Sequence, residues 1–148
     1  MSAAPRVAVL GSINVDVVVR AARLPKAGET LHGDSFALTL GGKGANQACA
    51  AARLGSDVVF IARTGQDGFG AFARERIAAF GVPDRFIGLS PADGTGMAVI
   101  AIDAAGENAI TIVAGANAAV SPRDVEAARP ALAAARVLLL QCETPFDA

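Results

Sequence analysis

Short aliphatic runs alternate along the chain with alanine-rich stretches of helical period. Arg6 to Leu10 is an aliphatic run ended by Gly11, the pattern of a strand buried on both faces of a parallel sheet. A second run, Val15 to Val19, carries Asn14 and Asp16 at its start, and in an extended segment those two side chains project from the same face. After the turn-rich LPKAGET, the residues Phe36, Leu38 and Leu40 alternate with small or polar ones and predict a half-exposed antiparallel strand. From Gly44 the period becomes helical through ANQACAAARLG, with Gly55 as terminator, and DVVFIARTG is the next buried strand. The segment GFGAFARERIAAFGV repeats the arrangement, with Phe69, Phe72, Ile77 and Phe80 at helical spacing and Gly81 as the stop. DRFIGL is a short strand candidate. GMAVIAID and NAITIVAG, separated by Ala104 to Glu107, predict a hairpin. Ser121-Pro122-Arg123-Asp124 opens a third helix with a favoured cap, a proline at its first position and a capping-box acid. Arg136 to Gln141 reads as a final buried strand, with Glu143 just past its end.

This alternation predicts a parallel α/β sheet. The hairpin and the strand in the thirties fall outside it and predict a small β flap over one edge. At 148 residues, with 53% apolar residues and neither Trp nor Tyr, the chain is about one domain with an aliphatic core. Lys and Arg number 13 against 14 Asp and Glu, giving a net charge of -1, and the basic residues are scattered. That excludes nucleic acid and an anionic membrane surface as expected partners. Cys49 and Cys142 stand far apart without metal-binding spacing, so reduced thiols and no zinc site are expected. Without a signal-peptide core or an apolar stretch near the roughly 18 residues of a membrane span, the expected location is cytoplasmic.

Ligands of open α/β sheets sit beyond the carboxyl ends of the strands. Asn14, Asp16, the glycine turn from 41 to 46 and Glu143 all fall at that edge, and an amide, two carboxylates and an ammonium suit a polyol. The turn LGGKGANQA resembles a phosphate loop at first sight. A Walker loop needs GxxxxGK[ST], whereas here Lys43 is followed by Gly44; a dinucleotide fingerprint needs GxGxxG after the first strand, whereas Gln47 takes the third glycine's place late in the chain. Two readings remain on these residues alone: flexible backbone that approaches an oxygen-rich ligand beside a helix start, or a structural turn with a solvated lysine.

The stretches GSINVD (11–16), PKAGET (25–30), GGKGANQA (41–48), TGQDGFG (64–70), AGANAAVSP (114–122) and QCETP (141–145) occur in an order that resembles the ribokinase, fructokinase and adenosine kinase family of carbohydrate kinases, in its ribokinase branch. The resemblance implies a ribokinase-like three-layer α/β/α fold, incomplete here, with a small β lid built from strands near 15–20, 30–40, 95–103 and 108–113. It implies that Asn14 and Asp16 hydrogen-bond ribose hydroxyls, that Gly42, Lys43, Gly44 and Asn46 close around the sugar, and that Glu143 completes the pocket. It also implies ATP, Mg2+ and K+ as cofactors and a homodimer paired through the lid.

The family's Asn-x-x-Glu segment and its Gly-Ala-Gly-Asp motif, whose aspartate deprotonates the sugar, do not occur in these residues. No catalytic residue, nucleotide site or metal site is therefore expected here. The expectation is the N-terminal, sugar-binding part of an ATP-dependent ribokinase, truncated and inactive alone; the alternative is a non-catalytic sugar-binding or lid-mediated interaction module. Among the remaining polar residues, Asp67 reads as a helix cap, His32 as a surface residue, Lys26 and Glu29 as solvated loop charges, and Cys49 and Cys142 as packed thiols.

Overall fold

The computed structural model describes residues 6–148. In chain order the elements are β1 (Arg6–Leu10), β2 (Asn14–Arg20), β3 (Ser35–Gly41), α1 (Lys43–Arg53), β4 (Asp57–Gly65), α2 (Gly68–Ala79), β5 (Ile87–Ser90), β6 (Gly96–Ile102), β7 (Asn108–Val113), a 3-10 turn (Gly115–Ala119), α3 (Pro122–Ala133) and β8 (Val137–Leu140).

Four strands form a parallel sheet in the order β5-β4-β1-β8. The two-residue period of β4 divides the core. Val58, Phe60 and Ala62 join Val9 against Ala45 and Ala48 of α1 and Ala73 and Ile77 of α2. Val59 and Ile61 join Ala8 against Ala128 of α3. Helices on both faces of the sheet make three layers, α/β/α. The first turn of α3 is held by Asp124, whose Oδ2 accepts from the Ser121 N–H and hydroxyl at 2.9 Å and from Arg63 Nε of β4 at 3.0 Å. No helix among the described residues is long and apolar enough to cross a membrane.

The second sheet has the order β3-β2-β6-β7, with β2 and β6 parallel and the outer pairs antiparallel. The loop between β6 and β7 is closed by Asp103, whose Oδ1 accepts from Ala105 N at 2.9 Å and Glu107 N at 3.0 Å. Where β6 leaves the body, Asp67 does two things. It caps α2 through Gly70 N at 2.7 Å, and it accepts from both the backbone N–H and the hydroxyl of Thr95 at 2.7 Å.

Two expectations fail on burial. The strand of the thirties begins at Ser35, so residues 30–34 lie outside it, and Ser35 to Thr39 are exposed on both faces instead of half-exposed. It is the outer strand of the second sheet, and only its end, at Leu40 and Gly41, packs against the core beside α1. β8 was expected to be buried, yet Val137 is 48% and Leu140 63% exposed. It occupies the end of the parallel sheet, where only Leu139 packs on the core.

Phe60 is 1% exposed at the centre of the larger cluster. Phe60→Ala should lower the unfolding free energy by about 3–5 kcal/mol, read by urea denaturation; a loss below about 1 kcal/mol would contradict this division of the core.

Candidate functional site

At the carboxyl end of β1 the chain continues through Gly11, Ser12 and Ile13 into β2, and the start of α1 lies flush against this strip. The glycines of the turn make that possible. Gly42 has φ 88, and a Cβ on it would stand 2.7 Å from Ser12 O and 2.8 Å from Asn14 N. A Cβ on Gly44 would stand 2.6 Å from Ser12 N. These glycines let the helix start pack directly on the backbone of the Gly11–Asn14 strip.

Close approach brings the free amides of the first helical turn onto partners inside the chain. Ala45 N donates to Ser12 O at 2.9 Å, Gly44 N reaches Ser12 Oγ at 3.5 Å, and Lys43 N reaches Glu143 Oε2 at 3.4 Å. Glu143 also accepts from the Ser12 hydroxyl at 2.6 Å and forms an ion pair with the Lys43 ammonium. The anion at this helix start is thus the Glu143 carboxylate. Burial alone would raise its pKa, but the bonds from Lys43 and Ser12 outweigh burial and hold it below the usual carboxylate range.

Asn14 is buried, and its Oδ1 accepts from Asn117 Nδ2 at 2.8 Å. Asp16, two residues on along β2, lies over Gly41, where any Cβ would overlap its carboxylate. Burial, and next the negative charge of Glu143, push the Asp16 pKa up. A cleft of about 210 Å3 opens between the two sheets, lined by Ser12, Asn14, Ile112, Ala114, Asn117 and Glu143. Two carboxylates with pKa values displaced in opposite directions, one amide and one ammonium can exchange hydrogen bonds with a polyhydroxylated ligand.

Of the predicted residues, Asn14 and Glu143 line the cleft, Lys43 and Asp16 adjoin it through the ion pair and the charge of Glu143, and Gly42 and Gly44 set the helix start against the Gly11–Asn14 backbone. Asn46, like Asp16 and Lys43, is not one of the cleft's lining residues. Asn46 is exposed and lines a neighbouring hollow with Thr39, Leu40, Cys49 and Arg53. Ser12 and Asn117 belong to the site and went unread. Ser12 sits inside the GSINVD stretch, and Asn117 is the one amide in a run of small residues, so their polarity was visible but their partners were not. Cys142 is exposed instead of packed; Cys49 is buried, and burial pushes its thiol up. Glu29 is not a free loop charge: it pairs with Arg23 and accepts from Lys26 N at 3.0 Å, with its pKa lowered to about 2.

A second hollow, about 370 Å3, lies at the opposite end of the strands beside Phe60, Phe86 and Pro130. Its cations are engaged, Arg6 with Asp57 at 2.7 Å and Arg85 over the Phe86 ring at 5.3 Å, so size does not mark the site. Among the described residues, no group of three or more His, Cys, Asp or Glu side chains could hold a metal ion.

Residues 4–142 match the pattern of pfkB family carbohydrate kinases. The chain is 41% identical over 139 residues to a ribokinase of Haemophilus influenzae, covering 94% of this chain and 45% of that protein. It is 36% identical over 141 residues to a deoxyribokinase of Salmonella typhi, covering 95% and 46%. A solved structure of Arabidopsis thaliana ribokinase complexed with ribose and ATP superposes with a TM-score of 0.84 at 37% identity, over 96% of this chain and 46% of that one. The chain therefore spans about half the length of the proteins it matches, and its fold is part of theirs.

Gly44→Ala should destabilise the chain by about 1–3 kcal/mol, because backbone on both sides resists displacement; an unchanged denaturation midpoint would contradict the flush contact. Glu143 has a depressed folded pKa, so its contribution to stability is present above the ordinary value of 4.5 and lost as pH falls through the folded value. Thermal melts across that range should fall less steeply with acid for Glu143→Gln than for the parent chain.

Proposed function

The chain belongs to the pfkB family of carbohydrate kinases, and from that premise we propose that it is the sugar-holding part of an ATP-dependent ribokinase. The reaction is ribose plus ATP giving ribose 5-phosphate plus ADP. The observation that carries this reading is the cluster of Asn14, Asp16, Lys43 and Glu143 at the carboxyl end of the sheet. In it, ionised Asp16 accepts hydrogen bonds from sugar hydroxyls and Asn14 donates one. Glu143, fixed by Ser12 and Lys43, closes the floor. Asn46, in the first turn of α1, supplies a second amide to the sugar.

The family's Asn-x-x-Glu and Gly-Ala-Gly-Asp motifs, the second of which would carry the hydroxyl-activating aspartate, do not occur among these 148 residues. Here the chain's own work is to bind and orient the sugar and to keep water from it. The second sheet serves as the lid, and exclusion of water by such a lid favours transfer over hydrolysis. Its exposed apolar side chains, with Phe36 at 74% and Ile112 at 60%, support pairing with the lid of a second copy. The same exposure favours a second reading, a non-catalytic module that binds sugar and associates through the lid.

Three measurements test these readings. Ribose titrated calorimetrically into the chain should bind, without ADP release when ATP is added. Fusion to the second half of a homologous ribokinase should restore ribose-dependent ADP release, and Asp16→Ala should lower its kcat/KM about 10- to 100-fold, the loss of a charged hydrogen bond. No activity in the fusion, or activity indifferent to Asp16→Ala, would overturn the kinase reading and leave the module. Ribose affinity should also fall with acid at a higher pH than an ordinary aspartate would produce, since the Asp16 pKa is raised; affinity flat down to pH 4 would contradict its role.

A further inference from the structure

Asn117 is 2% exposed, and its carboxamide makes three hydrogen bonds to a segment more than a hundred residues earlier in the chain. Oδ1 accepts from Ile13 N at 2.8 Å, while Nδ2 donates to Ile13 O at 3.0 Å and to Asn14 Oδ1 at 2.8 Å. The first two bonds copy a peptide–peptide pair and satisfy both backbone groups of Ile13. They also fix which end of the Asn117 amide is which. Turning it over would set NH2 against N–H and oxygen against oxygen.

The third bond passes this orientation on. Asn14 must present its oxygen to the Asn117 NH2, which leaves Nδ2 as its free polar end. That nitrogen has no partner among the described residues, and Asn14 lines the cleft. Both amides lie directly over Gly96, the first residue of β6, where a Cβ would overlap Asn117 Nδ2 and stand 2.5 Å from Asn14 Oδ1, so the pair fits only above a glycine.

We infer that Asn117 is a positioning residue: it holds Asn14 as a hydrogen-bond donor toward the cleft, so the ligand atom met there is an oxygen acceptor. The inference rests on the sugar-site reading above. Asn117 itself does not touch the sugar. It acts through Asn14, and its loss should matter only while Asn14 is present.

Ribose is titrated into the parent chain, Asn117→Ala, Asn14→Ala and the double variant. Asn117→Ala should raise the ribose dissociation constant about tenfold, the worth of one well-placed hydrogen bond. In the Asn14→Ala background it should add less than about twofold, the non-additivity of residues acting as a unit. Equal losses in both backgrounds, or none in the single variant, would overturn the inference. A second readout needs no variant to fold. In side-chain amide NMR of the parent chain, the Asn117 NH2 protons should be protected from exchange, and those of Asn14 should exchange rapidly and shift when ribose is added. An unprotected Asn117 amide with ribose still bound sinks the inference alone; a parent chain that does not bind ribose sinks the sugar reading and the inference together.

Discussion

No Cβ stands between the start of α1 and the backbone from Gly11 to Asn14, and the ligand edge of the fold is built on that contact. A helix begins with amides that need acceptors. Here the glycines let those amides reach Ser12 and Glu143, so α1 is tied both to the segment after β1 and to the one after β8. A side chain at Gly42 or Gly44 would force the helix outward, and the Ser12, Glu143 and Lys43 bonds would be lost together.

The same contact sets the electrostatics. Glu143 sits among donors and an ammonium, while Asp16 is partly buried and faces the Glu143 charge, so the two carboxyl groups move apart in pKa. Glu143 is engaged by Ser12 and Lys43 within the chain, whereas the Asp16 carboxylate, two residues from Asn14 along β2, has no hydrogen-bond partner among the described residues. The division of labour follows from environment, since an aspartate and a glutamate differ little on their own.

The two sheets meet at this edge through a small number of polar anchors. Asp67 grips Thr95 before β6, and Asn117 grips Ile13 and Asn14 where β2 begins. Beyond these anchors the second sheet departs from the body, and its distal apolar residues meet solvent. The second sheet is thus fixed at its root and exposed at its far end.

Most of the local structure was legible in the residues. The glycine stops of α1 and α2, the Asp67 cap, the Ser121–Asp124 capping box and the shared face of Asn14 and Asp16 depend on neighbours within a few positions, where spacing and side-chain chemistry suffice. The family was legible too, because its motifs lie in order along nearly the whole chain. Burial of β3 and β8 was not: an aliphatic run reads alike at the centre and at the edge of a sheet, and strand order is decided by contacts the run does not contain. Ser12 and Asn117 were missed for the same reason. Their partners lie 131 and 104 residues away, and only the folded chain brings those groups within a hydrogen bond of each other.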